Sequence, residues 1–509
     1  MNSAAWTRRQ FLRAGAALGA AAFTALNSTR RAGAASRDRV VVFQGVGLDS
    51  LHPYAYSGGG ISGIWQHVIE PLVEMDFSRA EYAGVLAESW EFQGKKWIFH
   101  LRKKVRFHDG APFTAKDVLF SIDRMVKDSK SLQASNFAEV TNVEAPDDYT
   151  VAITTRQPSA VLLERLNNRF ILSQAAVEKN GGQLDNYKIG TGPYKLVSWQ
   201  RAGNLVLARN DEYWRAKPEI KEVLFKTVKE EAARVAGLLA GQADAISNLP
   251  IEEIERVEKN PRTRVARVPG YRMYFLAMNV NHKPFDNKLV RQAFSYSIEP
   301  SVILKHIFEG NGYALNGPLS SNMIGYDPAI KRYPHDPQKA RELLARAGYP
   351  NGLEVKLYLA PDRHLKGKEV CQVIARQLSE SGIKAELVPQ EYPIYWGKDG
   401  VNGGKLPFYY AGRSAYDADT FYDQYFHTGV TKRTNYSNPE LDKLIEQEQQ
   451  TGDHKKRVAI LQQAGRIVME DAPVVPLYTL AEIYGLARNI VWQGNPNNEI
   501  IVADMKIKG

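Results

Sequence analysis

The 509-residue chain carries a formal charge of +10, yet this excess belongs to its first segment rather than to a binding surface. Arg8, Arg9, Arg13, Arg30 and Arg31 precede residue 36 with no acid among them, which leaves about +5 on the rest; the densest run there, Lys103-Lys104-Val105-Arg106, reads as a solvated face and excludes a nucleic-acid footprint. One cysteine, Cys371, excludes an intrachain disulfide, and at roughly 150 residues per domain the length predicts two or three domains held by packing alone.

Residues 1–35 read as an export leader: a basic start, an apolar core from Ala14 to about Leu26, and small residues that offer cleavage after Ala34 or Ala35. The core is shorter than the roughly 20 residues a membrane span needs. Thr7-Arg8-Arg9-Gln10-Phe11-Leu12-Arg13 resembles a twin-arginine signal, with Arg in place of the final Lys. An ordinary secretory leader with two arginines is the alternative. The expected destination is the periplasm, in soluble form, because Cys371 lies too deep for a lipid anchor.

Further along, apolar runs alternate with amphipathic stretches, which predicts a mixed α/β fold. RVVVFQG reads as a buried strand and ISGIWQHVIEPLVEMD as the helix after it; KKWIFHLRKKVRFH alternates like an antiparallel pair. APFTAKDVLFSIDRMVKD predicts a helix capped by Thr114 with Asp117 as its capping-box partner. DPQKARELLARAGYPNG predicts another, capped by Asp336 and ended by Gly348. LEVKLYLA, KGKEVCQVIARQLSESG and IKAELVP read strand, helix, strand, which demands a parallel sheet, and LPFYYAG reads as a further parallel strand. Character shifts near RVPGYRMYFLAMNVN (264–281) and APVVPLYTLAEIYG (472–485) predict that the chain crosses twice between two domains, an arrangement suited to a hinge.

Enzyme chemistry has no anchor in these residues. GxSxG, HExxH and GxxxxGK[ST] patterns are missing. Gly58-Gly59-Gly60-Ile61-Ser62-Gly63 matches GxGxxG, but no Val/Ile strand precedes it, so it reads as a turn or a bare-backbone ligand loop. The histidines are scattered; His427 is the one to watch as a metal ligand, and no cofactor is expected. Asp417 and Asp419 would suit acid–base work but are commoner as loop and cap residues.

The stretch LAESWEFQGKKWIFHLRKKVRFHDGAPFTAKDVLFSIDRM (86–125) resembles the signature region of the family 5 extracellular solute-binding proteins of ABC importers, the peptide, nickel and oligosaccharide type. Further matches follow in order: IGTGPYKLVSWQRAGNLVLARNDEYW (189–214), LLAGQADAI (238–246), FLAMNVNHKPFDNKLVRQAFSYSI (275–298), YPHDPQKARELLARAGY (333–349) and APVVPLY (472–478). The resemblance implies a two-lobed periplasmic binding protein fold of the large class II type, with a ligand cleft between the lobes. Lobe I would span residues 36–270 with an extra subdomain at about 77–190, lobe II 271–480, and 481–509 would return to lobe I. It also implies a monomer that delivers its solute to an inner-membrane permease and its ATPase, reached through the twin-arginine export machinery.

Open α/β sheets bind ligands beyond the carboxyl ends of their strands, and LPFYYAG runs into RSAYDADTF, which places Arg413, Ser414, Tyr416 and Asp417 at a cleft mouth. Arg413 there suits an anion clamp, with pairing to Asp417 as the competing reading. In dipeptide-binding relatives an aspartate just upstream of a D-x-D-x-F segment holds the peptide ammonium. That position is Ser414 here, so ordinary dipeptide recognition is in doubt. The remaining candidates are Tyr56, Ser57, Gly58 and Gly59 in the loop after the first strand, Arg363 after VKLYLA, Trp396 as an apolar wall, and Tyr271 beside the hinge. Acidic or modified peptides and opine-like compounds head the ligand classes, ahead of oligosaccharides and chelated nickel. A secreted hydrolase is the reading from another class.

Overall fold

The computed structural model describes residues 38–56, 59–361, 363–430 and 432–508. The leader with its twin arginines, and the loop candidates Ser57 and Gly58, lie outside the described residues; Gly59 opens a helix that ends at Gln66.

One eleven-stranded sheet runs through both halves of the molecule. Its first half is built on Arg39–Gln44, whose Val40 and Val42 are fully buried, paired in parallel with Glu222–Thr227 and Ala245–Ile246. Its second half is the predicted βαβ unit: Leu353–Leu359 and Ile383–Pro389 pair in parallel around the helix Gly367–Glu380, and Phe408–Ser414 lies parallel on the other side. Helices cover both faces of this half. Phe275, Tyr409, Phe421, Tyr425 and Leu461 pack on one face, and Leu276, Phe294, Leu357, Tyr410 and Tyr478 on the other. A sheet buried on both faces needs near-continuous apolar runs, as LPFYYAG supplies. A separate four-stranded antiparallel sheet, in the order 87–93, 96–101, 150–155, 140–147, carries the capped helix Ala115–Lys127. Its Thr114 N–H donates to Asp117 Oδ2 at 2.9 Å.

Two long antiparallel strands, Thr263–Met278 and Val474–Ala487, join the halves, so the fold is a two-lobed α/β architecture. Their register breaks midway. Pro269 faces Ala481 and Met273 faces Thr479, which leaves Gly270, Tyr271 and Arg272 opposite Leu480 alone. The carbonyls freed by this bulge find side-chain donors: Thr479 Oγ1 (2.8 Å) and Ser320 Oγ (3.2 Å) on Gly270 O, and Asn322 Nδ2 on Pro269 O (2.9 Å).

Two expected elements differ. ISGIWQHVIEPLVEMD is helical only to Gln66, and Val73–Asp76 is a strand instead; Pro71 ends the helical option and the alternating burial of 73–76 fits a sheet. KKWIFHLRKKVRFH is not a hairpin with itself: only Lys96–Leu101 is a strand, and its partners are 87–93 and 150–155.

Candidate functional site

The strands 353–359, 383–389 and 408–414 run parallel, so their carboxyl ends lie along one edge of this half of the sheet. Arg413 is the penultimate residue of the last one, opposite the buried Met273. The residue is half-buried, with Nε shut off from water; loss of water, with Arg433 and Arg165 nearby, lowers its pKa. Its Nε has no hydrogen-bond partner, and among the described residues no carboxylate forms an ion pair with it.

Asp417 does not fill that gap. Its carboxylate, wholly buried, takes two hydrogen bonds from Arg457 (2.6 and 2.9 Å) and one from the N–H of Asp419 (3.0 Å). Arg457 also holds Glu448 at 2.7 Å. Asp417 is therefore a structural partner and helix cap rather than a ligand contact, a correction to its place among the candidates. Its neighbour Asp419 accepts from Gln449 at 2.7 Å.

Around Arg413 the chain assembles a line of rings and cations. Arg363, exposed, sits 5.0 Å over the ring of Tyr392; Tyr392 stacks near Trp396 at 6.4 Å; Arg433 covers Trp396 at 5.3 Å and Tyr425 at 5.1 Å. Arg433 is itself fixed by Gln424 Oε1 (2.7 Å) and Asn402 Oδ1 (3.1 Å). Burial raises the pKa of the Tyr425 hydroxyl to about 12 against the pull of Arg433 and Arg413. A cation over a ring face is held by the ring's negative face as well as by its hydrogen bonds.

A second cluster lies at the register break. Tyr271 meets Tyr416 edge-on at 4.6 Å, and Phe77 reaches across to both, at 5.2 and 6.1 Å. The Tyr271 hydroxyl is buried without a partner. Ser414 is exposed, paired across the sheet with Arg272. Tyr56 is set into the first lobe, its hydroxyl donating to Asn168 O at 3.0 Å. Glu499 stands beside this cluster, accepting from Gln66 (3.1 Å) and Asn497 (2.9 Å); burial raises its carboxyl to about 8. Across the cleft Thr420 Oγ1 donates to Glu164 Oε2 at 2.6 Å, and burial next to Asp417 raises the Glu164 carboxyl to about 7.

His427 pairs with Asp423 at 2.8 Å and lies 3.9 Å from Glu446. Among the described residues no group of three or more His, Cys, Asp or Glu side chains is placed to hold a metal ion, so the metal reading of His427 gains no support.

The structure thus brings Arg363, Trp396 and Arg413 into one line and Tyr271 and Tyr416 into another, while Tyr56 and Asp417 serve packing. Sequence reasoning missed Arg433, Tyr392, Tyr425, Glu164 and Glu499. Tyr392 is only four residues from Trp396, the helical spacing that could have shown it; the others come from loops and helices with no such signal.

Among the described residues no helix is long and apolar enough to cross a membrane. Residues 81–433 match the family model for bacterial extracellular solute-binding proteins, family 5. The glutathione-binding protein GsiB of Escherichia coli K12 is 29% identical over 468 residues, 89% of this chain and 91% of that protein. Of solved structures, HbpA2 from Haemophilus parasuis superposes with a TM-score of 0.85 at 24% identity, covering 92% of this chain and all of that one. The ABC transporter-associated periplasmic binding protein DppA from Helicobacter pylori, in complex with the peptide STSA, gives 0.67 at 26% identity, covering 92% and 98%. With the family model spanning well over half its length, the chain belongs to the family 5 bacterial extracellular solute-binding proteins, and it is the substrate-binding component of an ABC importer.

Proposed function

We propose that the solute is an acidic, peptide-like compound held between the lobes, with Arg413 as its anion clamp. The observation that carries this is the half-buried guanidinium, whose Nε is shut off from water without a partner: such a donor is costly unless something arrives to pair with it. The GsiB relatives are named for glutathione, a peptide with two carboxylates, and the DppA neighbour holds a peptide. Both fit a cleft rich in arginine and tyrosine better than a neutral sugar would. The closing movement would hinge at the register break near residues 270 and 480, with lobe I at 36–270, lobe II at 271–480 and the return at 481–509. The export route we infer is the twin-arginine one, to the periplasm, where the protein would work as a monomer and meet its permease.

The test is titration calorimetry with reduced glutathione. Arg413→Ala should weaken binding about 10- to 150-fold, the worth of one charge-assisted hydrogen bond. Arg413→Lys should recover only part of it, since an ammonium lacks the planar fork. Unchanged affinity in Arg413→Ala would make Arg413 a structural residue of the loop.

A further inference from the structure

A cavity of about 340 Å³ opens at the register break, on the line where the lobes meet. Asn248 lines it from the first lobe and Lys366 from the second, with Gly270, Arg272, Tyr274 and Glu482 from the two crossing strands. Two of its polar groups are already committed. Lys366 Nζ reaches Ile307 O (3.3 Å) and Glu252 (3.5 Å), and Asn248 Oδ1 accepts from Asn498 at 2.6 Å.

Arg272 and Glu482 are not committed. They stand on neighbouring strands on either side of the break, one guanidinium and one carboxyl in the same cavity. Arg272 acts on the Glu482 carboxyl through space, but the two form no ion pair, and among the described residues neither side chain makes a hydrogen bond. Gly270 keeps the carboxyl in view: a Cβ there would come within 3.2 Å of Glu482 Oε1. Burial raises that carboxyl to about 7, the state of an acid waiting for a cation.

The position of Ser414 gives this cavity a meaning. Ser414 is the direct cross-strand neighbour of Arg272, and opposite residues of an antiparallel pair share a face. The chain has a hydroxyl where a carboxylate for an ammonium group was to be expected, and it supplies a carboxyl, Glu482, from the adjoining strand beside the same arginine.

We propose that the hinge cavity receives the α-amino-acid end of the ligand, with its ammonium on Glu482 and its α-carboxylate on Arg272. This rests on the reading of Arg413, which lies on the opposite face at the end of the strand that carries Ser414 and takes a second carboxylate around that strand end. The ligand class is then a zwitterionic amino-acid head bearing a further acid several bonds away, the chemistry of a side-chain-linked glutamyl peptide. One zwitterion satisfies both free groups together, and neither is left buried and unpaired. A head group seated at the bulge also touches both lobes, so binding and closure become one event.

Titration calorimetry with reduced glutathione and with its N-acetylated form tests this, on the parent protein, Glu482→Gln, Arg272→Gln and Arg413→Ala, each checked by thermal melting. The parent should bind the acetylated form at least 30-fold more weakly. Glu482→Gln should bind glutathione 10- to 100-fold more weakly and no longer distinguish the two forms, and Arg272→Gln should lose affinity for both. If Glu482→Gln and Arg272→Gln bind glutathione like the parent while Arg413→Ala does not, the hinge assignment falls and the clamp stands. The converse pattern removes the clamp alone. A parent protein that binds neither peptide overturns both.

Discussion

Arg457 and Arg413 show two uses of a guanidinium. Arg457 is saturated by Asp417 and Glu448, whereas the buried Nε of Arg413 has no hydrogen-bond partner. Their variants should therefore separate stability from binding. Arg457→Met strands two buried carboxylates, and losing one side of such a network costs about 3–5 kcal/mol, so melting should drop by several degrees. Arg413→Ala should melt at or above the parent temperature, because it removes a cation that nothing in the chain compensates. Equal melting of Arg457→Met and parent would contradict this division. The sequence of the loop, RSAYDADTF, offers Asp417 as the nearest acid to Arg413. What it cannot show is Arg457, forty residues on, which claims that acid through the packing of one helix on another. Ser414 was legible as a departure from the dipeptide pattern; Glu482 was not, since only strand pairing brings it near.

At the scale of elements, periodicity and caps were legible where one segment decides its own structure. The helix Pro337–Arg346 has Asp336 as cap, accepting from the Lys339 N–H at 2.8 Å, and Gly348 past its end at φ 96°. The failures came where partners decide. Residues 73–76 become a strand because 81–84 pair with them, and the charged run after Leu101 turns away because 150–155 occupy the second edge of 96–101. The crossings lay where composition changes, but the bulge at Gly270–Arg272 depends on the register of two strands about 200 residues apart, which no local pattern encodes. If that bulge is the hinge, ligand should draw the lobes together. Small-angle scattering should then give a smaller radius of gyration with saturating glutathione than without it; an unchanged radius would speak against a closing trap.

Across the whole molecule the ordered family motifs carried the fold, because they are largely packing motifs, and for the same reason they said little about the solute. The buried titratable groups set a global response instead. Glu499 is raised to about 8, and Glu164 and Glu482 to about 7, by burial. Their contribution to folding is full below about 4.5 and is lost as pH rises to 7–8. His67 and His108 are lowered to about 4 and His364 to about 3, also by burial, so theirs is lost as pH falls below about 6.5. Above pH 6.5 only the first set still changes. Melting temperature should therefore fall between pH 6.5 and 8.5, and Glu499→Gln should flatten that fall; a variant with the parent's slope would show that Glu499 does not titrate there.

The central claim, a cleft made for an acidic peptide-like solute, is tested most directly by native mass spectrometry of gently purified protein. The mature chain should carry a dissociable small molecule whose mass and fragments show an amino-acid unit and more than one carboxylate, and Arg413→Ala should emerge without it. A neutral sugar or a metal chelate retained by both proteins alike would contradict the account.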